Sequence, residues 1–137
     1  QGSLTGIDNM KFISRIYRTD FGKLREFVEE FAELGSFLYE PVKTYSSGMR
    51  ARLAFALSIA IDFDCYLIDE VLLVGDERFH ARSRGHLFAP GSGRALLVAS
   101  HDASFIEKTC DAALVISNGR TRYFEKVADA LKVYRAL

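Results

Sequence analysis

The chain has 137 residues, 49% of them apolar, which is the size of one small domain with enough material for a single core. Eighteen Lys and Arg balance 18 Asp and Glu, so the net charge is zero and nothing points to a nucleic-acid polyanion as partner. The longest apolar run, residues 53–61, includes Ser58 and stops at Asp62, short of the roughly 20 residues a membrane-spanning helix needs, and no signal-peptide pattern is visible in the first residues given.

Residues 1–6 read as irregular. Asp8 or Asn9 is expected to cap a helix running to about Arg18, with Met10, Ile13, Ile16 and Tyr17 on one face. Thr19 and Asp20 break it. A second helix follows, with Leu24, Phe27, Val28, Phe31 and Leu34 on a stripe and Glu29, Glu30 and Glu33 off it; Gly35 stops it. Pro41 blocks further helix. Ser46, Ser47 and Gly48 then stand where a third helix begins, because Met49, Leu53, Ala56, Leu57 and Ala60 recur at helical spacing. Ser is a good N-cap, and Gly lets a backbone come close to a ligand. The first turn of a helix has free N–H groups and a partial positive charge, so it suits a phosphate, and Arg50 and Arg52 add charge nearby. This helix should run from about Ser47 to Ile61 with its C-terminal half buried.

Residues 62–64 turn the chain into Cys65–Ile68, an apolar run read as a buried strand. It delivers Asp69 and Glu70 to its carboxyl edge, where ligands bind in open α/β sheets. Cys65 reads as an inert core thiol. Cys65 and Cys110 lack metal-ligand spacing, which fits a reduced, cytosolic setting. Residues 77–87 can form a helix, with His80 and His86 read as surface groups. Pro90 to Gly93 is a turn; it is Gly-rich, but no Gly-Lys-Ser/Thr follows, so it is not a phosphate loop. Residues 95–99 read as a second buried strand ending at Ser100-His101-Asp102, and residues 103–109 as a short helix. Residues 112–117 form a third strand, turned at Asn118-Gly119 into a return over 120–124, before a final helix over 127–137.

Taken alone, Ser-Ser-Gly before a helix is a cap, and Asp-Glu after a strand is a solvated turn. Together, in this order, they resemble the ATP-binding cassette ATPases, in which a signature loop and helix precede a strand ending in Asp-Glu. The wording Tyr45-Ser-Ser-Gly-Met-Arg-Ala-Arg-Leu-Ala-Phe-Ala56 looks most like the branch that exports capsular and lipopolysaccharide O-antigen chains. The more usual loop reads Leu-Ser-Gly-Gly-Gln, so Tyr45 to Met49 is a branch variant. Leu4 to Asn9 resembles the start of that family's helical subdomain.

The resemblance implies an α/β fold: part of a P-loop NTPase nucleotide-binding domain, with a helical subdomain over residues 1–44. The signature helix and an incomplete, mainly parallel sheet flanked by helices would follow over residues 45–137. It also implies roles. Asp69 would hold Mg²⁺, through water; Glu70 would orient or deprotonate the attacking water; His101 would contact the γ-phosphate of ATP. Ser46, Ser47 and Gly48 would cap a nucleotide held by a second copy of the subunit, and Asp76 would face that copy. A transmembrane permease would be the other partner, with the ATPase cytoplasmic and peripheral to the inner membrane. Leu72 and Leu73 depart from the branch, which usually carries Thr and Ala there.

No Gly-x-x-x-x-Gly-Lys-Ser/Thr occurs in the chain. The family places that phosphate cradle upstream of the stretch corresponding to Gln1. The expectation is therefore a fragment that neither binds ATP tightly nor turns it over alone. Residues 95–99 and 112–117 would lose a shared neighbour, and bare edges would be covered by their direct pairing or by self-association. A second reading is a non-catalytic interaction module that docks a permease or itself. A third, the chromosome-structure and DNA-repair cassette ATPases, would require a long inserted coiled coil that residues 1–44 do not contain.

Overall fold

The structure is a computed structural model and describes residues 3–69, 76–88 and 93–137. The chain forms two compact units, one from Gln1–Asp64 with Leu72–Arg94, the other from Cys65–Val71 with Ala95–Leu137.

The first unit is helical. Helix α1 spans Gly6–Tyr17, earlier than the periodicity predicts, because its cap is Thr5 rather than Asp8 or Asn9. Thr5 Oγ1 accepts the Asp8 N–H at 3.1 Å, while the Asp8 carboxylate accepts the Thr5 N–H at 3.3 Å, a reciprocal capping box. That earlier start moves the buried stripe to Ile7, Met10 and Ser14 and leaves Ile16 and Tyr17 exposed, contrary to the expected face. Gly6 is required here: a Cβ would lie 2.9 Å from Tyr45 Oη and 3.1 Å from the Leu38 carbonyl oxygen.

Helix α2, Phe21–Ala32, buries Leu24, Val28 and Phe31 as its stripe predicts. It ends not at Gly35 but at Glu33, which takes the left-handed conformation at φ 53°. Gly35, also at positive φ, opens a 3₁₀ turn over Gly35–Tyr39. Helix α3, Ser47–Ile59, is capped by Ser46 and stops two residues short of the expected Ile61. Leu53, Phe55, Ala56 and Ile59 are buried while Ala54 and Ser58 are exposed, so burial is one-sided.

Helix α4, Glu77–Leu87, lays Phe79, Ser83 and Leu87 inward at i, i+4 spacing. The three helices α2, α3 and α4 meet in an aromatic cluster. The Phe31 ring centroid lies 5.4 Å from Phe27, 6.0 Å from Phe55 and 5.4 Å from Phe79. His86 packs 5.2 Å from Phe27 and 5.9 Å from Phe31, so it is part of this cluster and not a surface group, and His80 is half-buried. Burial pushes the His86 imidazole below its ordinary pKa, with the Arg94 charge adding to the effect and a backbone hydrogen bond to Ile59 opposing it.

The second unit holds the strands. Strand β1, Cys65–Asp69, pairs in parallel with β2, Ala95–Ala99, with Leu67 opposite Leu97 and Asp69 opposite Ala99. Helix α5, Ala103–Thr109, follows, capped by Asp102. Strand β3, Ala113–Ser117, then turns at Asn118-Gly119 into β4, Arg120–Phe124; both turn residues have positive φ, as a type I′ hairpin requires. Helix α6, Val127–Tyr134, closes the unit and ends before the expected Leu137.

The strands differ from expectation in their burial and in the first of the two expected covers for bare edges, direct pairing rather than self-association. Neither β1 nor β2 is buried on both faces: Tyr66 and Ile68 of β1 are covered, but Leu67 is 77% and Leu97 65% exposed, side by side. Parallel strands are apolar on both faces because both are normally covered, and here one is open. Cys65 lies on that open face and is exposed, not a core thiol. Direct pairing of the 95–99 and 112–117 strands also does not form among the described residues; β2 pairs with β1, and β3 takes its sequence neighbour β4, the partner with the smallest loop to close.

Candidate functional site

The predicted site residues fall into two groups, one in each unit. In the first unit, Ser46 is an N-cap with extended backbone, and its Oγ accepts the Met49 N–H at 3.2 Å. Its carbonyl oxygen accepts the Arg50 N–H. The loop leading into it is pinned by Tyr45, which is 3% exposed and whose phenol donates to the Phe37 carbonyl oxygen. Burial raises the Tyr45 pKa, and the Glu40 charge adds to it against a hydrogen bond from the Gly6 backbone. Ser46 and Ser47 are exposed at the head of α3, and a Cβ on Gly48 would meet nothing nearer than Ser46 Oγ at 4.0 Å. Packing inside the unit therefore does not require glycine at 48. An approaching ligand would, because the bare backbone lets it reach the first-turn N–H groups.

Arg50 and Arg52 do not stand free beside this turn. Arg50 Nη1 donates to the Tyr45 carbonyl oxygen at 2.8 Å. Arg52 donates to the Asp76 carboxylate, lies 4.0 Å from Glu33 and sits 5.2 Å over the Phe79 ring. Asp76 itself caps α4, accepting the Phe79 N–H at 2.9 Å. That hydrogen bond holds the Asp76 carboxyl below the usual carboxylate range; partial burial opposes it, and the Arg52, Arg78 and His80 charges add to it. An Asp ahead of the 77–87 helix is a cap signal that the sequence reading missed, and its pairing with Arg52, 24 residues earlier, has no sequence signal.

In the second unit, β1 and β2 run in the same direction and in register, so Asp69 and the Ser100-His101-Asp102 turn emerge at one carboxyl edge. Asp69 and His101 are both exposed there. Asp102 accepts the Ser104 and Phe105 N–H groups at 3.0 and 3.1 Å, which fixes the turn carrying His101. Glu70, together with Leu72, Leu73 and the Pro90-Gly91-Ser92 part of the expected turn, lies outside the described residues.

Among the described residues no group of three His, Cys, Asp or Glu could hold a metal ion by itself. One exposed carboxylate at a strand end suits Mg²⁺, which keeps several waters and binds through one or two carboxylates plus substrate phosphates. A groove of about 650 Å³ between the hairpin and α6, lined by Val115, Arg120, Arg122, Val133 and Leu137 among others, contains none of the predicted site residues. Among the described residues no helix is long and apolar enough to cross a membrane.

No protein-family model matches the chain. The chain is 52% identical over 137 residues to the capsule polysaccharide export ATP-binding protein CtrD of Neisseria meningitidis serogroup B, covering 100% of this chain and 63% of that protein. It is 51% identical over 134 residues to the ATP-binding protein BexA of Haemophilus influenzae, covering 98% of this chain and 62% of that protein. The chain thus spans about three-fifths of the length of these curated relatives. Among solved structures, an ATP-binding subunit of an ABC transporter superposes with a TM-score of 0.82 at 17% identity, over 98% of this chain and 58% of that one, which speaks to fold. The α3 turn, the strand ending in Asp69 and these likenesses agree: the chain belongs to the ATP-binding cassette family, and the relatives it matches include a capsule polysaccharide export ATP-binding protein.

Proposed function

We propose that the chain is part of the ATP-hydrolysing subunit of a polysaccharide exporter. The observation that carries this reading is the shared carboxyl edge of β1 and β2, where Asp69 and the His101 turn emerge together. In phosphoryl transfer to water the protein supplies positioning and charge. Asp69 would hold Mg²⁺ through water, and the ion, when bound, neutralises phosphate charge. Glu70 orients or deprotonates the attacking water, and His101 meets the γ-phosphate. Ser46, Ser47 and Gly48 cap the nucleotide of a second subunit, with Asp76 turned to the same neighbour. No Gly-x-x-x-x-Gly-Lys-Ser/Thr cradle for the triphosphate occurs in these 137 residues, so this chain alone should bind Mg-ATP weakly. Isothermal titration should show no affinity tighter than about 1 mM, roughly −4 kcal/mol. Stoichiometric micromolar binding would contradict the shared-site reading.

The docking reading rests on a different observation. Phe12 and Ile16 on α1, with Phe37 and Tyr39 on the 3₁₀ turn, are large, apolar and exposed. In this reading they meet a cytoplasmic segment of a transmembrane permease, with the protein working in the cytoplasm against the inner membrane. Phe12→Asp should abolish co-purification with that permease while leaving the helical CD signal intact. Undiminished co-purification would remove this surface from the reading.

A further inference from the structure

Arg52 has three ties. Its guanidinium donates to Asp76, lies 4.0 Å from Glu33 and stacks over Phe79 at 5.2 Å, with its side chain only 21% exposed. The ties join three elements: Asp76 and Phe79 belong to α4, Glu33 is the left-handed C-cap of α2, and Arg52 itself is on the second turn of α3. A neighbouring arginine repeats the design. Arg82 of α4 donates to the α2 carbonyl oxygens of Glu30 and Phe31 at 3.1 and 3.4 Å and to the Glu33 carboxylate at 3.0 Å, and stacks over Phe31 at 5.3 Å. Arg78 adds a 3.6 Å contact to Glu33. With its charge matched twice and its face against a ring, Arg52 is not placed to meet a phosphate; it is placed to hold. Planar guanidinium does this where a lysine cannot, because it bonds in its plane and stacks on its face at once.

We propose that Arg52 is a positioning residue that ties the Ser46–Gly48 turn to Asp76, so that both move as one body. This rests on the proposed function, in which these two features meet the same partner subunit; Arg52 then fixes their spacing before the partner arrives. The ligand-binding turn and the residue at the neighbouring interface are thereby read as one preformed surface.

The test needs no nucleotide, so its outcome is independent of the Mg-ATP titration above. Amide exchange is measured by NMR on the 137-residue chain and on Asp76→Asn, Arg52→Gln, Arg52→Lys and the Asp76→Asn/Arg52→Gln pair. Asn keeps the α4 cap and removes the charge. The expected result is faster exchange, by about tenfold, at Met49 and Arg50 in Asp76→Asn, although position 76 is remote in sequence. Arg52→Gln should match it, the pair should add nothing further, and Arg52→Lys should recover part of the protection. Should Arg52→Gln fail to fold, Asp76→Asn and Arg52→Lys make the same comparison. Changes confined to residues 76–80 in Asp76→Asn, or additive effects in the pair, would overturn the proposal.

Discussion

Phe31 is the residue whose loss should damage the first unit most. It is 5% exposed and touches rings from all three helices that surround it: Phe27 on its own helix, Phe55 on α3, and Phe79 and His86 on α4. Phe→Ala in a core costs about 3–5 kcal/mol, because apolar area is lost and the cavity collapses only partly. Edge-to-face and stacked pairs add about 0.5–1.5 kcal/mol each beyond buried area, though not additively. A loss near 4 kcal/mol is therefore expected for Phe31→Ala, a large share of the roughly 5–15 kcal/mol that holds a small domain. With a urea dependence of about 2 kcal/mol per molar, the midpoint followed by circular dichroism at 222 nm should fall by about 2 M. Phe12→Ala is the control. Phe12 is 56% exposed, so its stability change should stay within about 0.5 kcal/mol. If both variants shift the midpoint equally, or Phe31→Ala shifts it by under about 0.5 M, the cluster does not organise this unit.

Acid should weaken the same unit through His86. Its folded pKa lies below the unfolded value of about 6.5, so the unfolded chain takes up the proton first. The stability is complete above that pH and lost as pH falls; the urea midpoint should drop between pH 7.5 and 5.5, and drop less in His86→Leu. Ser83 is 2% exposed and its hydroxyl has no hydrogen-bond partner among the described residues, so Ser83→Ala should raise stability by up to about 1 kcal/mol in the same denaturation assay. Cys65 is exposed, while burial and the Asp111 charge push the half-buried Cys110 thiol up, so an aromatic disulfide reagent at neutral pH should label Cys65 first, with Cys65→Ser removing the fast phase.

How far the fold could be read from residues depends on the range of the forces involved. Local signals held: Ser46 as cap, the α2 stripe, the Asn118-Gly119 turn and the strands expected over 65–68 and 95–99 all follow from neighbours in sequence. The α1 register differs because the apolar spacing of Met10, Ile13, Ile16 and Tyr17 is louder than the Thr5-x-x-Asp8 box that sets the actual start. His86 was misread because its surroundings come from Phe27 and Phe31, more than 50 residues away. Strand apolarity was legible, but cover on both faces is not a property of a strand; Leu67 and Leu97 are apolar and still bare. For the site, spacing and wording singled out Ser46–Gly48, Asp69 and His101. The commitment of Arg50 and Arg52 to Tyr45 and Asp76 could emerge only with coordinates.

In the proposed function two surfaces of this chain, the head of α3 and the carboxyl edge of β1 and β2, are the contacts it offers to nucleotide. Titrating millimolar Mg-ATP into the isotopically labelled chain and following its amide spectrum tests this most directly. The account predicts weak, unsaturated shifts confined to residues 46–49, 69 and 100–102. Shifts centred instead on the Arg120–Arg122 groove, with those amides unmoved, would contradict it.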